Sequence, residues 1–278
     1  MSAATAEFLL ALQHAEAAND EQHLFVALAR IDLTTISFAQ RQEHWRKRAA
    51  PFILRLLREE DHVENLYVLC WDLLTAAIQL DDAWREEDST AQLDNKIETG
   101  MIDALGLELR RNPIRPEILR ASLVPSTSLC LCECFVDKII HEGLIEALLA
   151  IVQRINDLPQ LLRVLALISL TNLAIHPSSH SRLLESGALQ VALGLLRHLS
   201  SLDPEQLDCG LSAAFLICRV AGRDECGPGM ESIHSNLPLI SKLHWILDEV
   251  LKAGPNGIVL GSQYVLLSYR IRSIYVYF

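Results

Sequence analysis

A glycine followed by a largely apolar stretch recurs in this 278-residue chain at Gly100, Gly143 and Gly187. The three segments read TGMIDAL, EGLIEAL and SGALQVA, so the glycines lie 43 and 44 residues apart. A period of about 40 to 47 residues is typical of repeats built from two or three helices. One such unit cannot bury its own apolar face, and stacked neighbours bury it instead. The spacing therefore predicts an array of helices with a long concave surface for a partner.

The composition agrees with such an array. Hydrophobic residues make up 50% of the chain but aromatic residues only 6%, and the excess is mainly Leu and Ala, which are strong helix formers. A helical array extends its core along one axis without dividing into globular domains. We therefore predict one domain over residues 1–278. Its clearest repeats are 97–221, with an atypical N-terminal cap at 1–50 and an atypical or truncated C-terminal end at 254–278.

The formal net charge of −11 argues against general affinity for nucleic acid or anionic membranes, because both require a cationic surface. An acidic protein is better suited to a basic protein or peptide partner. The N terminus lacks the cationic and apolar segments of a secretory signal. Apolar runs are interrupted before the roughly 18 residues of a membrane span. Because the seven cysteines do not form a disulfide framework, we expect a reducing compartment, the cytoplasm or the nucleus.

Apolar periodicity and breaker residues predict the helices of individual repeats. Pro159 should open a long helix that runs to about Ile175, after a helix that begins just beyond Gly143. Upstream, we expect a short helix ending near Gly100 and a single helix within residues 19–40. The other predicted helices span 52–57, 66–77, 181–184, 188–199 and 207–221.

The segment Leu165–Ala174 reads LALISLTNLA. It resembles the third-helix signature of the armadillo repeat family, which ends in Asn-Leu-Ala. Units of that family have a short first helix, a second helix introduced by glycine and a long third helix, the order predicted here. The resemblance is clearest over residues 97–221. It implies an all-α fold, a right-handed armadillo-like α-solenoid of about four to five repeats.

In peptide-binding members of that family, such as importin alpha, third helices line the inner groove. An Asn ladder holds the peptide backbone there, and Trp residues four positions earlier stack on basic side chains. Asn172 matches the Asn position, but Ile168 stands where the family has Trp. The groove candidates implied by the resemblance are Trp71, Thr75, Ser128, Asn172 and Arg219. For Trp71 the alternative is a packed helix face, since aromatic residues at helical spacing usually serve the core.

An acidic segment follows the helix that carries Trp71. It could attract a basic peptide through long-range electrostatics, or it could be a solvated connection between helices. The tryptophan in it favours contact, because aromatic residues are enriched in interface cores. The proposed acidic contact loop consists of Asp81, Asp82, Trp84, Glu86, Glu87 and Asp88.

Two further clusters have simple structural interpretations. Cys130, Cys132 and Cys134 alternate, a spacing unlike that of zinc sites, so we expect buried structural thiols and no metal site. A basic stretch surrounds Trp45 and could be a localisation signal, a contact for an acidic partner or a solvated helix end. Its cations are Arg41, Arg46, Lys47 and Arg48.

The chain contains none of the local motifs that mark a phosphate-binding loop, a nucleophilic serine or a metal-binding helix. We therefore expect a non-enzymatic scaffold or adaptor that binds a partner segment along its groove, without a cofactor or small-molecule substrate. One alternative is a nuclear transport adaptor of the importin-alpha type. Another is a regulatory subunit or chaperone cofactor that binds a folded partner.

Overall fold

The computed structural model describes residues 3–59, 62–80, 96–154, 157–198 and 204–220. All regular secondary structure in these ranges is helical. The chain divides into two compact units between Glu142 and Gly143. The organisation of residues 1–278 as one domain stays a prediction, and its C-terminal end at 254–278 lies outside the described residues.

In the first unit, α5 packs along α7, while α6 contacts α4 and α7. A π-helical segment, Arg41–Ala49, joins α3 to α4. The large core side chains of this unit include Trp45, Trp71 and Met101. Its helices are α1 (Ala3–Glu16), α2 (Glu21–Leu28), α3 (Phe38–Gln40), α4 (Ala50–Arg58), α5 (Glu64–Leu80), α6 (Lys96–Leu109), α7 (Pro116–Leu129) and α8 (Val136–His141).

The prediction of a single helix within residues 19–40 is wrong, because two aspartates cap separate helices there. The Asp20 side chain accepts a hydrogen bond from the His23 backbone N–H at 2.9 Å and begins α2. The Asp32 side chain accepts from the Thr34 N–H at 2.9 Å and begins a 3-10 turn. Aspartate satisfies the free N–H groups of a helix start, so it separates helices more readily than it continues one.

The helices of the second unit follow the predicted order closely. Pro159 stands in extended conformation at the N-cap of the long helix, as its lack of an N–H allows. The long helix α10 packs against α9 and α13, and α12 also packs against α13. The helices are α9 (Leu144–Gln153), α10 (Gln160–Leu173), α11 (His180–Glu185), α12 (Ala188–His198) and α13 (Pro204–Val220).

No single helix among the described residues is long and apolar enough to cross a membrane. One pair of helical segments, taken together, has the length and apolar composition of a membrane span. These are Gln160–Leu173 and Pro177–Glu185, which are bent by 112° at the break between them.

The three repeat glycines do not share one role. Gly143 and Gly187 have φ values of 65° and 82° and directly precede α9 and α12, so both take the left-handed conformation that glycine adopts at little cost. Gly100 instead lies inside α6, and the prediction of a short helix ending there is wrong. A Cβ atom at Gly100 would lie 2.8 Å from Leu54 Cδ1. Glycine at this position therefore allows α6 to approach α4 closely.

Substitution of Gly187 by alanine is expected to lower the free energy of unfolding of the second unit by about 1–2 kcal/mol, because an L residue is strained at positive φ. A Cβ atom there would meet only Gln190 Oε1 at 3.7 Å, so steric overlap contributes little. Gly194→Ala is the matched control. It lies within α12 with open space around its Cα, and alanine should stabilise the helix by about 1 kcal/mol. Urea denaturation should show a lower free energy of unfolding for Gly187→Ala and a higher one for Gly194→Ala. Equal changes in the two variants would contradict the left-handed conformation of Gly187.

Candidate functional site

Two groove candidates occupy the same place in their helices. Ser128 and Asn172 are each the penultimate residue of α7 and α10, respectively. Thr75 and Arg219 lie on α5 and α13, which reach the last described residues before a gap, Leu80 and Val220. The common repeat register of the four positions therefore stays a prediction.

Trp71 is a core residue rather than a surface residue. Its side chain is only 1% exposed, on the same helix face as the buried residues Tyr67, Leu74 and Ile78. Thr75 is half-buried, and its hydroxyl donates to the Trp71 carbonyl oxygen at 2.8 Å. The interpretation of Trp71 as a groove residue is therefore wrong, because its ring cannot reach a partner from this packing. Thr75 keeps an acceptor lone pair and remains a candidate.

Ser128 lies at the end of a helix with an internal proline, Pro125. The Ser126 and Thr127 hydroxyls donate to carbonyl oxygens three residues earlier, at 2.6 and 2.8 Å. Such local side-chain bonds to the backbone are typical of hydroxyl residues within helices, and neither of these two bonds reaches the Ala121 carbonyl oxygen, which lacks its usual donor because Pro125 has no N–H. Ser128 itself is half-buried, so part of its side chain is accessible to a partner.

In the second unit, a hydrogen-bond cluster ties α10 to α13 beside Asn172. The Thr171 hydroxyl is shared between the carbonyl oxygens of Leu167, at 2.7 Å, and Ser212, at 3.2 Å. Arg219 Nη1 donates in turn to the Thr171 carbonyl oxygen. A cation at the last turn of α10 also interacts favourably with the helix dipole. Arg219 is thus anchored, and it fixes the backbone next to Asn172.

Asn172 is buried at the last turn of α10, with only 9% of its surface exposed, and it already has a partner within the chain. Its carbonyl oxygen accepts from the Ile175 N–H at 3.1 Å. Asn172 and Arg219 were predictable as candidates from the sequence, whereas the roles of Thr171 and Ser212 were not predicted. A threonine inside an apolar third helix is the signal that was available, because a buried hydroxyl requires an acceptor.

The basic stretch around Trp45 is largely engaged in the first unit. Arg46 Nη2 forms an ion pair with Glu98 Oε2 at 2.8 Å, and both side chains are 11% exposed. Arg48 forms an ion pair with Glu16 at 2.5 Å, and Arg41 donates to the Ile36 carbonyl oxygen at 2.8 Å. Arg41 and Arg46 are therefore engaged within the unit, whereas Lys47 and Arg48 are exposed and fit the interpretation of a solvated helix end.

The alternating cysteines differ in burial. Burial of Cys130 raises the pKa of its thiol to about 12, which keeps the thiol protonated and unreactive. Cys132 is half-buried and Cys134 is exposed, so the expectation of buried structural thiols is correct only for Cys130. The acidic contact loop, from Asp81 to Asp88, lies outside the described residues.

Comparisons with known proteins identify the fold. No family profile matches the chain, and no curated protein matches its sequence. A designed armadillo repeat protein in complex with the peptide (KR)4 is similar at a TM-score of 0.59 and 17% identity, over 87% of this chain and 99% of that one. Another, computationally designed for modular peptide recognition, has a TM-score of 0.59 and 19% identity, with coverage of 87% and 99%.

A third solved structure, an engineered protein, has a TM-score of 0.63 and 13% identity, over 93% of this chain and 98% of that one. At these identities the likeness concerns the fold alone. It agrees with the glycine spacing, the third-helix segment that ends in Asn-Leu-Ala and the helix order of the second unit. The chain is therefore an all-α protein with the armadillo-like repeat fold.

Proposed function

We propose that this protein is a non-enzymatic scaffold that binds an extended segment of a partner protein on the third-helix surface of its units. The observation that carries the proposal is the placement of Asn172 beside an anchored hydrogen-bond cluster in an armadillo-like fold. An Asn amide has two N–H donors and an acceptor, so Asn172, although buried and already in contact with a partner within the chain, can still bind the backbone of an extended peptide at its exposed edge. Because Thr171 and Arg219 already fix the neighbouring backbone, little additional ordering is required on binding.

The charge distribution suggests which segments bind. The net charge of −11 favours a basic segment, and one structural neighbour is in complex with (KR)4. Arg219, however, places a cation at one groove position, where a basic side chain of the partner would be repelled. We therefore propose a basic segment whose side chain opposite Arg219 is neutral or acidic.

We favour this general scaffold over an importin-type transport adaptor. In importin-type adaptors, groove tryptophans stack on basic side chains of the bound peptide. Two corresponding positions in this chain, Trp71 and Ile168, are buried, so neither side chain is available for such stacking. A regulatory subunit that binds a folded partner stays an alternative. We also propose that the protein acts without a cofactor, in the cytoplasm or the nucleus.

Fluorescence anisotropy with labelled (KR)4 peptide at constant ionic strength tests the proposal. Asn172→Ala should weaken binding about 5-fold, the effect of losing one hydrogen bond. Arg219→Gln should strengthen it, because glutamine carries no charge to repel the basic peptide. Gln190→Ala, which removes an exposed amide from α12, is the control and should bind like the wild type. Equal affinities for all variants would indicate only nonspecific charge attraction.

A further inference from the structure

Two arginines in the connection between α6 and α7 lie against one tyrosine of α5. The guanidinium carbons of Arg111 and Arg115 are 5.4 and 4.5 Å from the ring centroid of Tyr67. The tyrosine is buried, while the two arginine side chains are 22% and 23% exposed. Stacking on an aromatic ring holds a guanidinium in place without using its N–H donors. We call Arg111 and Arg115 the Tyr67 arginine pair.

Part of the hydrogen-bonding capacity of this pair is unused within the described part of the chain, although Arg111 also forms a side-chain hydrogen bond with Tyr67. Arg111 Nε and Arg115 Nη2 contact the same atom, Glu108 Oε2, each at 3.5 Å. Charge-assisted hydrogen bonds are normally about 2.7–2.9 Å long. Arg115 Nε is buried and has no hydrogen-bond partner among the described residues. Because a guanidinium carries five N–H groups, the pair can bind another oxyanion at its exposed edge.

Glu108 supplies one carboxylate to the two guanidinium groups, so it does not neutralise the pair completely. Burial of this carboxyl raises its pKa and outweighs the attraction of Arg111. The exposed Arg110 adds a third cation to the same connection. The α6–α7 connection is thus a local cationic site in a protein with a net charge of −11.

We propose that the Tyr67 arginine pair binds the phosphate monoester of a phosphorylated residue in the partner protein. The inference relies on the proposed function for the identity of the partner as a protein. Two planar guanidinium groups match a phosphate monoester, which carries a charge of about −1.5 to −2 and three acceptor oxygens. A carboxylate ligand would bring only one negative charge and two acceptor oxygens, and Glu108 already provides one carboxylate to the pair, so a phosphate monoester is the better match. An anionic membrane surface is disfavoured by the overall negative charge.

The test is ¹H–¹⁵N spectroscopy of arginine Nε–H groups in the full chain. The probes are Gly-Gly-pSer-Gly-Gly, its unphosphorylated and aspartate analogues and inorganic phosphate, at ionic strength held constant with chloride. We expect saturable shifts of the Arg111 and Arg115 resonances with the phosphopeptide, weaker ones with phosphate and none with the other peptides. Arg120 is the internal control, because it is 45% exposed on α7 and pairs with Glu117 at 3.2 Å.

Phosphopeptide affinities of variants, measured by isothermal titration calorimetry, test the same site without requiring assignment of the arginine resonances. Arg111→Lys and Arg115→Lys keep the charge but lose the planar fork, and each should weaken phosphopeptide binding about 10-fold. Glu108→Gln, which removes the competing anion, should strengthen binding. Arg120→Lys should have no effect. Melting temperatures of all variants establish that each is folded, and the gain expected for Glu108→Gln cannot arise from misfolding.

Several results would overturn this site. Shifts that do not saturate, or that affect Arg120 equally, would indicate an adventitious ion only. Equal binding of phosphorylated and unphosphorylated peptides would exclude phosphate recognition. Binding to vesicles containing a phosphoinositide, without binding to the phosphopeptide, would exclude a protein ligand. These results differ from those expected if the proposed groove function alone is wrong. In that case Asn172→Ala would leave the affinity for (KR)4 unchanged, while the phosphopeptide would still bind to the Tyr67 arginine pair.

Discussion

Trp71→Ala is expected to lower the free energy of unfolding of the first unit by about 3–5 kcal/mol. The indole is buried in the core, and removal of a large aromatic side chain costs both transfer energy and a cavity. Urea denaturation with the amide signals of α5 and α7 as probes measures the loss. Thr75→Val, one turn along the same helix, is the matched control because it preserves volume at a half-buried position. Its effect should be small by comparison.

The same experiment separates the two interpretations of Trp71. A core residue affects partner binding only through the folded fraction, so binding per folded molecule should be unchanged in Trp71→Ala under stabilising conditions. Near-wild-type stability together with lost partner binding would contradict the core assignment. It would also restore Trp71 to the groove.

Breaking the Arg46–Glu98 ion pair should have an effect of similar size. The two side chains are nearly buried and lie 2.8 Å apart, so Arg46→Met leaves a carboxylate without its cation and should cost about 3–5 kcal/mol. Glu98→Leu should lower the free energy of unfolding by a similar amount, because it removes the carboxylate that pairs with the nearly buried Arg46 guanidinium. The double variant Arg46→Met/Glu98→Leu should recover most of the loss, because apolar packing can replace a buried ion pair.

A double-mutant cycle from thermal and urea unfolding measures this coupling. Arg120→Met is the control, because Arg120 and Glu117 form an exposed pair and such pairs contribute about 0–1 kcal/mol. Additive effects of the Arg46 and Glu98 substitutions would show that the two side chains act independently. That outcome would contradict the stabilising role assigned to the basic stretch.

Local sequence patterns predicted the second unit well because its boundaries are set by local chemistry. Pro159 begins α10, and Gly187 turns the chain into α12 with positive φ. The same glycine pattern led to a wrong prediction at Gly100, which lies inside α6 although its sequence context is nearly identical to those of Gly143 and Gly187. There the deciding contact is Leu54 on α4, which is distant in the chain. A glycine that permits close helix packing and a glycine that makes a turn have the same local signature.

The candidate site was predictable only in part. The repeat predicts Asn172 and Arg219 as groove candidates, which stays a prediction, whereas their connection through Thr171 and Ser212 depends on how α10 meets α13. Burial of Trp71 could have been inferred, since it shares a helix face with apolar residues. The Tyr67 arginine pair could not have been predicted, because Arg111 and Arg115 are separated from Tyr67 by more than 40 residues of sequence.

Photo-crosslinking with a selected peptide identifies the surface of this protein on which a partner segment binds. Peptides are first selected from a random display library against the folded chain, and a benzophenone side chain is then placed at the centre of the best binder. Peptide capture on the third helices predicts cross-links at the last turns of α10 and α13, around Asn172 and Arg219, and weaker yields with Asn172→Ala. Cross-links confined to α9, α11 or α12, with the same yields in that variant, would contradict the account.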